Sequence, residues 1–444
     1  RTAKYVAADQ LYDRFYRPDL LHARLHGDPQ NLWQQEGALG DVERVLAEGL
    51  PPQVRFVTPS TGATVAEPKT QVRVSIANQG GGIGKVVWKI DGVTVAVDTA
   101  PKGNTLRRLP PQNQDVTIGQ ALQLTPGENV VEVTAYNRQN NVASPPVRLT
   151  IMLKAPSSLP IAKLPQPEPP ATGASPRPAP VTPPGLRPDL HLFIVGIDSY
   201  RDKDLWLNYA VSDGRSFSSA LRDVAAPLFR EVVITELYDD LVTLTNLDHA
   251  FRKVAATIRP HDVFVVYFAG HGITLDGQYY FLPQDLLYEN DDAVRRSGIN
   301  QNHLQSWLAR IPARRSLVLL DTCESGSFVD AFASTRGMIE KTAAAKLTRA
   351  TGRATIVAAT DNQPAVEGYK GYGVFTYVLL QALRHADTSV VGNRDGYTGL
   401  FELAAYVNNR VPEIAMQEFG FQQTPQIHTL GADFPLALAQ ANSK

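Results

Sequence analysis

The chain has 444 residues, 43% of them hydrophobic and 20% charged, and a formal net charge of −1. That length allows roughly two to four domains, and near-neutrality gives neither nucleic acid nor an anionic membrane a bulk attraction. No apolar run reaches the ~18 residues needed to span a bilayer, and the single cysteine excludes an internal disulfide, which suits a reducing, cytoplasmic setting.

The chain starts at Arg1 with neither methionine nor signal peptide, so it reads as an excerpt. Residues 1–50 read as a short helical adaptor, with Asp9 and Asp41 as helix caps and Gly49 closing the last helix. His22 and His26 lie one helical turn apart, but no third ligand is nearby, so they read as solvated residues. Residues 51–152 change period. Val54–Val57, Gln71–Ile76, Lys85–Ile90, Val93–Val97, Asn129–Tyr136 and Val147–Ile151 alternate or are β-rich, and Asp91-Gly92 marks a hairpin turn. This pattern predicts an all-β sandwich with Trp88 as its core aromatic. It resembles the immunoglobulin-like modules of bacterial multidomain proteins, and it lacks the cysteine pair of true immunoglobulin domains. The resemblance implies a spacer or a surface that recruits another protein.

Residues 153–188 read as an extended linker, since 155–188 hold twelve prolines in 34 positions. From 189 to 438 strands and helices alternate, and 439–444 form a tail. Strands are expected at Leu192–Ile197, Val232–Leu237, Val263–Phe268, Leu317–Leu320 and Ala354–Ala359. Helices are expected at Asp213–Val224, Thr243–Ile258, Gln301–Arg310, Val374–Arg384 and Leu400–Val411. Continuously apolar strands between amphipathic helices mean an α/β domain, a mostly parallel sheet with helices on both faces. Ligands of such sheets sit beyond the carboxyl ends of the strands.

Two sequences fall there. Gly270-His271-Gly272 follows the third strand, and Asp321-Thr322-Cys323-Glu324-Ser325-Gly326 ends the fourth, carrying the only cysteine. A thiolate beside a histidine is an activated nucleophile, and the Gly272 and Cys323 amides are natural oxyanion donors. With Gly373-Val374-Phe375-Thr376-Tyr377-Val378-Leu379-Leu380, these motifs resemble the caspase-like peptidases, closest to the bacterial metacaspase and orthocaspase branch. The resemblance spans 190–435 and departs from the family pattern at Glu324 and Ala269, neither a catalytic position.

The resemblance implies a cysteine endopeptidase acting on protein or peptide through a Cys323–His271 dyad and an acyl-enzyme. Asp213 and Asp321 match the family's acidic walls of the primary pocket, and Glu367 lies in a nearby loop, so cleavage after arginine or lysine is expected. No metal or other cofactor is expected. At the family's calcium-binding aspartates stand Gln301 and Asn302, poor calcium ligands, although Asp285, Asp291, Asp292 and Asp330 lie in neighbouring stretches. The stretch 327–353, with Arg336, Lys341, Lys346, Arg349 and Arg353, would suit self-cleavage, although 338–347 could also form a short helix. A caspase-like signalling scaffold that acts by binding partners, a peptidase that prefers a non-basic residue before the cut, and a small-molecule hydrolase are the alternatives.

Overall fold

The computed structural model describes residues 8–11, 49–98, 115–154, 187–275, 278–323, 340–359, 365–429 and 431–438. The helices expected between 12 and 48, the His22–His26 pair, the proline-rich stretch 155–186, Arg336 and Asp330 and the tail lie outside these residues. Of the amino-terminal segment, Ala8–Leu11 forms a 3-10 turn.

Strands β1 (Gln53–Thr58), β2 (Ala63–Val65), β3 (Lys69–Ala77), β4 (Val86–Ile90), β5 (Val93–Asp98), β6 (Val116–Gln123), β7 (Gly127–Ala135) and β8 (Val147–Leu153) form two sheets. One has the order β1-β3-β6 and the other β2-β8-β7-β4-β5. Alternation does the sorting. Val72, Val74 and Ile76 of β3 point inward with Val131, Val133 and Ile151, while residues between them face solvent. Trp88 is fully buried in this core, and its indole N–H donates to Asp98 Oδ2 at 2.9 Å. Asp91 and Gly92 both adopt positive φ, 51° and 84°, as a two-residue hairpin between right-twisted strands requires.

Beyond residue 187 the chain alternates. Strands β9 (Leu190–Gly196), β10 (Val232–Tyr238) and β11 (Val263–Leu275) are followed by β12 (Gln278–Phe281), β13 (Ile299–Asn300), β14 (Arg315–Cys323), β15 (Ala354–Val357), β16 (Tyr397–Gly399), β17 (Gln426–His428) and β18 (Pro435–Leu438). Helices α1 (Ala210–Ala225), α2 (Leu244–Thr257), α3 (Asp291–Ser297), α4 (Gln301–Ala309), α5 (Glu340–Thr351), α6 (Val374–His385) and α7 (Leu400–Ile414) connect them. The central sheet runs β10-β9-β11-β14-β15-β17, with β10 through β15 parallel and β17 antiparallel.

The inner strands are buried on both faces. Leu192, Ile194, Val265, Tyr267 and Leu319 pack with α1, α6 and α7 on one side. Phe193, Val195, Phe264, Val266 and Leu320 pack with α2 and α4 on the other. Among the described residues no helix is long and apolar enough to cross a membrane.

Three local expectations change. Strand β11 does not stop at Phe268. It continues through Gly270, whose φ of +151° re-aims the chain, and then pairs antiparallel with β12. Helix α1 begins at Ala210 and is capped by Tyr209, so Asp213 lies within its first turn rather than at its cap. Of the two readings of 327–353, the helical one holds for part of it: helix α5 occupies Glu340–Thr351, running past the expected end at 347, and Arg353 just beyond it is 1% exposed.

Candidate active site

The site lies where the sheet's strands end. Parallel pairing of β11 and β14 sets Ala269 opposite Asp321, Gly270 opposite Thr322 and His271 opposite Cys323. Neighbouring strands lie about 4.8 Å apart, so the register brings the histidine and cysteine backbones side by side.

His271 is 4% exposed and held on two sides. Its backbone N–H donates to Tyr200 Oη at 2.7 Å, and Nε2 lies 2.9 Å from the Leu205 carbonyl oxygen. A carbonyl only accepts, so Nε2 carries the proton and Nδ1 is the basic nitrogen of the neutral ring. The Tyr200 ring lies 5.1 Å from the imidazole. Gly270 is where the chain needs glycine. A Cβ there would stand 2.6 Å from Tyr200 Oη and 3.2 Å from the Phe281 ring. At Gly272 a Cβ would stand 2.8 Å from both Thr322 Oγ1 and the Tyr279 hydroxyl, so no side chain fits beside that amide.

A narrow recess opens next to this pair, bordered by Leu207, Asp213, Gly270, Asp321, Glu367 and Gly373. Its free volume is about 10 Å³, room for about one water molecule. Asp213, Asp321 and Glu367, which are far apart in sequence, meet here. Asp321 is buried inside β14, where its Oδ2 accepts from the Tyr267 hydroxyl at 2.9 Å and the Thr376 hydroxyl at 2.7 Å. Asp213 Oδ2 accepts from the Gly373 amide at 2.9 Å. Its Oδ1 is buried and has no hydrogen-bond partner among the described residues.

The carboxyl groups hold their protons abnormally tightly. Burial, then the Asp321 charge, pushes Asp213 up to about 8, against the pull of the Gly373 amide. Burial, then Asp321 and Asp198, pushes Glu367 to about 7. Burial also raises Asp321, opposed by its two hydroxyl donors. No arginine or lysine borders the recess among the described residues. Carboxyls crowded in this way cannot all ionise together without a compensating positive charge.

Sequence reasoning missed several members of this assembly. Tyr200, Tyr267, Thr376 and the Leu205 carbonyl position the groups above. Asp198, just past the carboxyl end of β9, adds a further carboxyl whose proton affinity burial raises. The strand-end rule that singled out His271 and Cys323 could have found Asp198 too.

The described residues contain two groupings with metal-like donor sets. Asp189, His191 and Asp262 sit at the opposite ends of the strands, where Arg230 and Arg259 pair with the aspartates. In the other, Asp387 and Glu402 spend both oxygens on amides of the 393–399 loop, and Asp395 accepts from Tyr397 N and Asn393 Nδ2. Of the sequence's calcium candidates, Asn302 donates its amide to the Asn300 cap, Asp291 accepts from the Tyr288 hydroxyl and Asp292 pairs with Arg295.

The chain is similar to several solved structures. A Geobacter sulfurreducens protein from a structural genomics programme is 18% identical with a TM-score of 0.37, over 57% of this chain and 97% of that one. Caspase-1 from Spodoptera frugiperda is 13% identical with a TM-score of 0.34, over 58% and 92%. Fibronectin(III)-like modules of Clostridium thermocellum CbhA are 21% identical with a TM-score of 0.17, over 23% and 97%. No curated protein matches the chain as a relative. The model of the bacterial Ig domain matches residues 52–118. The model of the caspase domain matches residues 191–435, more than half of the sequence, and the chain belongs to that family of cysteine peptidases.

Proposed function

We propose that the protein is a cysteine endopeptidase that cuts after arginine or lysine, with Cys323 as nucleophile and His271 as proton carrier. The observation that carries the specificity is the buried, otherwise unpartnered Asp213 Oδ1 in a recess shared with Asp321 and Glu367. A guanidinium reaching it gains charge-assisted hydrogen bonds and removes the mutual repulsion of the carboxylates. The recess is too narrow for that side chain, so its walls must part as substrate enters.

In this reading His271 Nδ1 takes the Cys323 thiol proton, the thiolate attacks the scissile carbonyl carbon, and the oxyanion is held by the Gly272 and Cys323 amides. The C–N bond breaks as His271 delivers a proton to the leaving amine. Water then attacks the thioester, giving its proton to His271. The C–S bond breaks, the new carboxylic acid leaves, and His271 returns its proton to the sulfur, restoring the thiol. The Leu205 carbonyl holds the imidazolium through Nε2 during both transfers. No step uses calcium, in keeping with Gln301 and Asn302 at the family's aspartate positions.

Peptides carrying arginine, lysine, leucine or aspartate before a reporter, with calcium or with a chelator, test this. The expected result is cleavage after arginine and lysine in both conditions, abolished by Cys323→Ala. Cleavage after aspartate alone would overturn the pocket reading. Absence of any cleavage, with Cys323 inert to an electrophilic probe, would favour a scaffold.

A further inference from the structure

We propose that the β-sandwich is an intramolecular brace of the peptidase domain, seated on the two chain segments that flank the nucleophile, and that its docking sets the peptidase rate. Its rate arm rests on the peptidase reading above. Its docking arm does not.

The seat begins at Arg314, immediately before β14. This guanidinium keeps only 15% of its side chain exposed and turns into the sandwich. Nη1 pairs with the Asp91 carboxylate and donates to Thr125 Oγ1 at 2.8 Å, and Nη2 donates to Asn129 Oδ1 at 2.7 Å. Asp91 is itself fixed, since its Oδ1 accepts from the Val130 amide at 2.8 Å. The same hairpin reaches the end of α5. Lys89 Nζ donates to the Arg349 carbonyl and the fully buried Thr94 hydroxyl to the Ala350 carbonyl, each at 2.7 Å. A helix leaves its last four carbonyls without intrahelical partners, and here the sandwich satisfies two of them. Next to them a Cβ on Gly352 would come within 1.9 Å of the Gly92 carbonyl oxygen, so the two turns meet backbone to backbone.

The two seats are tied together inside the peptidase domain. Buried Arg353 donates to the Leu308 and Ile311 carbonyls, each at 2.7 Å, and to the Ala313 carbonyl at 3.0 Å. The turn before β14 and the turn after α5 therefore move as one block, and the sandwich grips that block from outside. Strand β14 ends at Cys323, and α5 closes the segment that follows it.

The grip is polar and incomplete, which makes it reversible. A solvent-open cleft of about 570 Å³ separates Val95 and Val97 of the sandwich from Ala309, at the end of α4, and Arg310 just after it. Interfaces of this kind within one chain resemble transient ones.

The test uses the full-length protein. Arg314→Glu places like charges together and should raise amide exchange across 340–351 by about tenfold or more. It should also lower kcat/KM on an arginine peptide by at least about tenfold. Adding Asp91→Arg should recover most of both. Lys89→Ala with Thr94→Val, which leaves the Arg314 pair intact, should raise exchange at 349–351 alone. Unchanged exchange across 340–351 in Arg314→Glu would overturn the docking. Raised exchange with unchanged or increased kcat/KM would overturn the brace. Failure of the wild-type protein to cleave any peptide would sink the rate arm with the peptidase reading, while exchange still decides the docking.

Discussion

Asp213→Asn tests the pocket reading most directly. In the substrate-free protein the Asp213 carboxyl titrates at about 8. Below that pH an arginine side chain must expel a proton before it can pair, at a cost of about 1.4 kcal/mol per pH unit. The specificity constant for an arginine peptide, divided by that for its neutral citrulline analogue, cancels the titration of the dyad. With Glu367 titrating as well, this ratio should climb by up to about a hundredfold per unit below pH 7 and up to about tenfold per unit above it, and level off beyond 8. The asparagine variant should keep only the lower part of the climb, which belongs to Glu367 at about 7. At pH 8 the lost pairing, about 4 kcal/mol for charges ~4 Å apart at an effective dielectric of ~20, should cut the ratio by about a hundred- to a thousandfold. Stability moves the other way. A carboxyl bound more tightly to its proton in the folded state than in the unfolded one favours folding at low pH. That advantage drains away as pH rises from the unfolded value, 3.8, to about 8. Substrate-free Asp213→Asn should therefore melt above wild type at pH 8 and close to it at pH 4. A ratio flat from pH 6 to 8, or unchanged by the substitution, would refute the reasoning.

Gly373→Ala puts a Cβ 2.9 Å from Asp213 Oδ2 and 3.9 Å from Asp321 Oδ2. Overpacking of this kind costs about 1–3 kcal/mol, so cleavage after arginine should fall roughly ten- to a hundredfold, while reaction of Cys323 with a small electrophile stays near wild type. Tyr200→Phe leaves the buried His271 N–H without its acceptor, a loss of about 1–3 kcal/mol. It should lower kcat by about tenfold with KM little changed, and a change confined to KM would count against Tyr200 as the group that positions the histidine. Self-cleavage within 327–353 should be absent in Cys323→Ala protein, and no cut should follow Arg353, which is 1% exposed. Mass spectrometry of the purified chains reads both.

The apolar runs that announce a doubly covered parallel sheet are strong at the centres of β9, β11 and β14, where residues 192–195, 263–268 and 317–320 are buried on both faces. The strand-end rule then selected the segments that the structure sets in register, His271 opposite Cys323. Other features had no local signal. Strands β16, β17 and β18 have three or four residues each, too few for an alternation to register. Tyr267 and Thr376 read as parts of an apolar strand and an apolar helix. Their meeting at Asp321 depends on how β11, β14 and α6 pack, which no local window contains. Arg353 read as one of the basic residues of a stretch suited to self-cleavage, yet it is buried, and backbone carbonyls around it replace water. The seat of the sandwich was equally hidden, since Asp91-Gly92 announced only a turn and nothing about what the turn would touch.

Strand β14 gives the pocket and the brace a common consequence. Asp321 and Cys323 are one strand repeat apart, about 7 Å along the backbone, and Arg314 directly precedes the strand's other end. The sheet holds β14 between β11, which pairs along all of β14, and β15, which pairs at residues 317–320, and such a strand shifts as a unit more readily than it deforms. Release of Arg314 would therefore displace the pocket wall and the nucleophile together against His271 and Asp213, which reside on β11 and α1. Arg314→Glu should then slow cleavage after arginine and after lysine by the same factor, keeping the preference between them. It should also slow the reaction of Cys323 with a small electrophile. Asp213→Asn should do the opposite, eroding the preference for basic residues while leaving the electrophile reaction untouched. If Arg314→Glu changed the preference and spared the electrophile rate, the sandwich would be acting on the pocket and not through the nucleophile's strand.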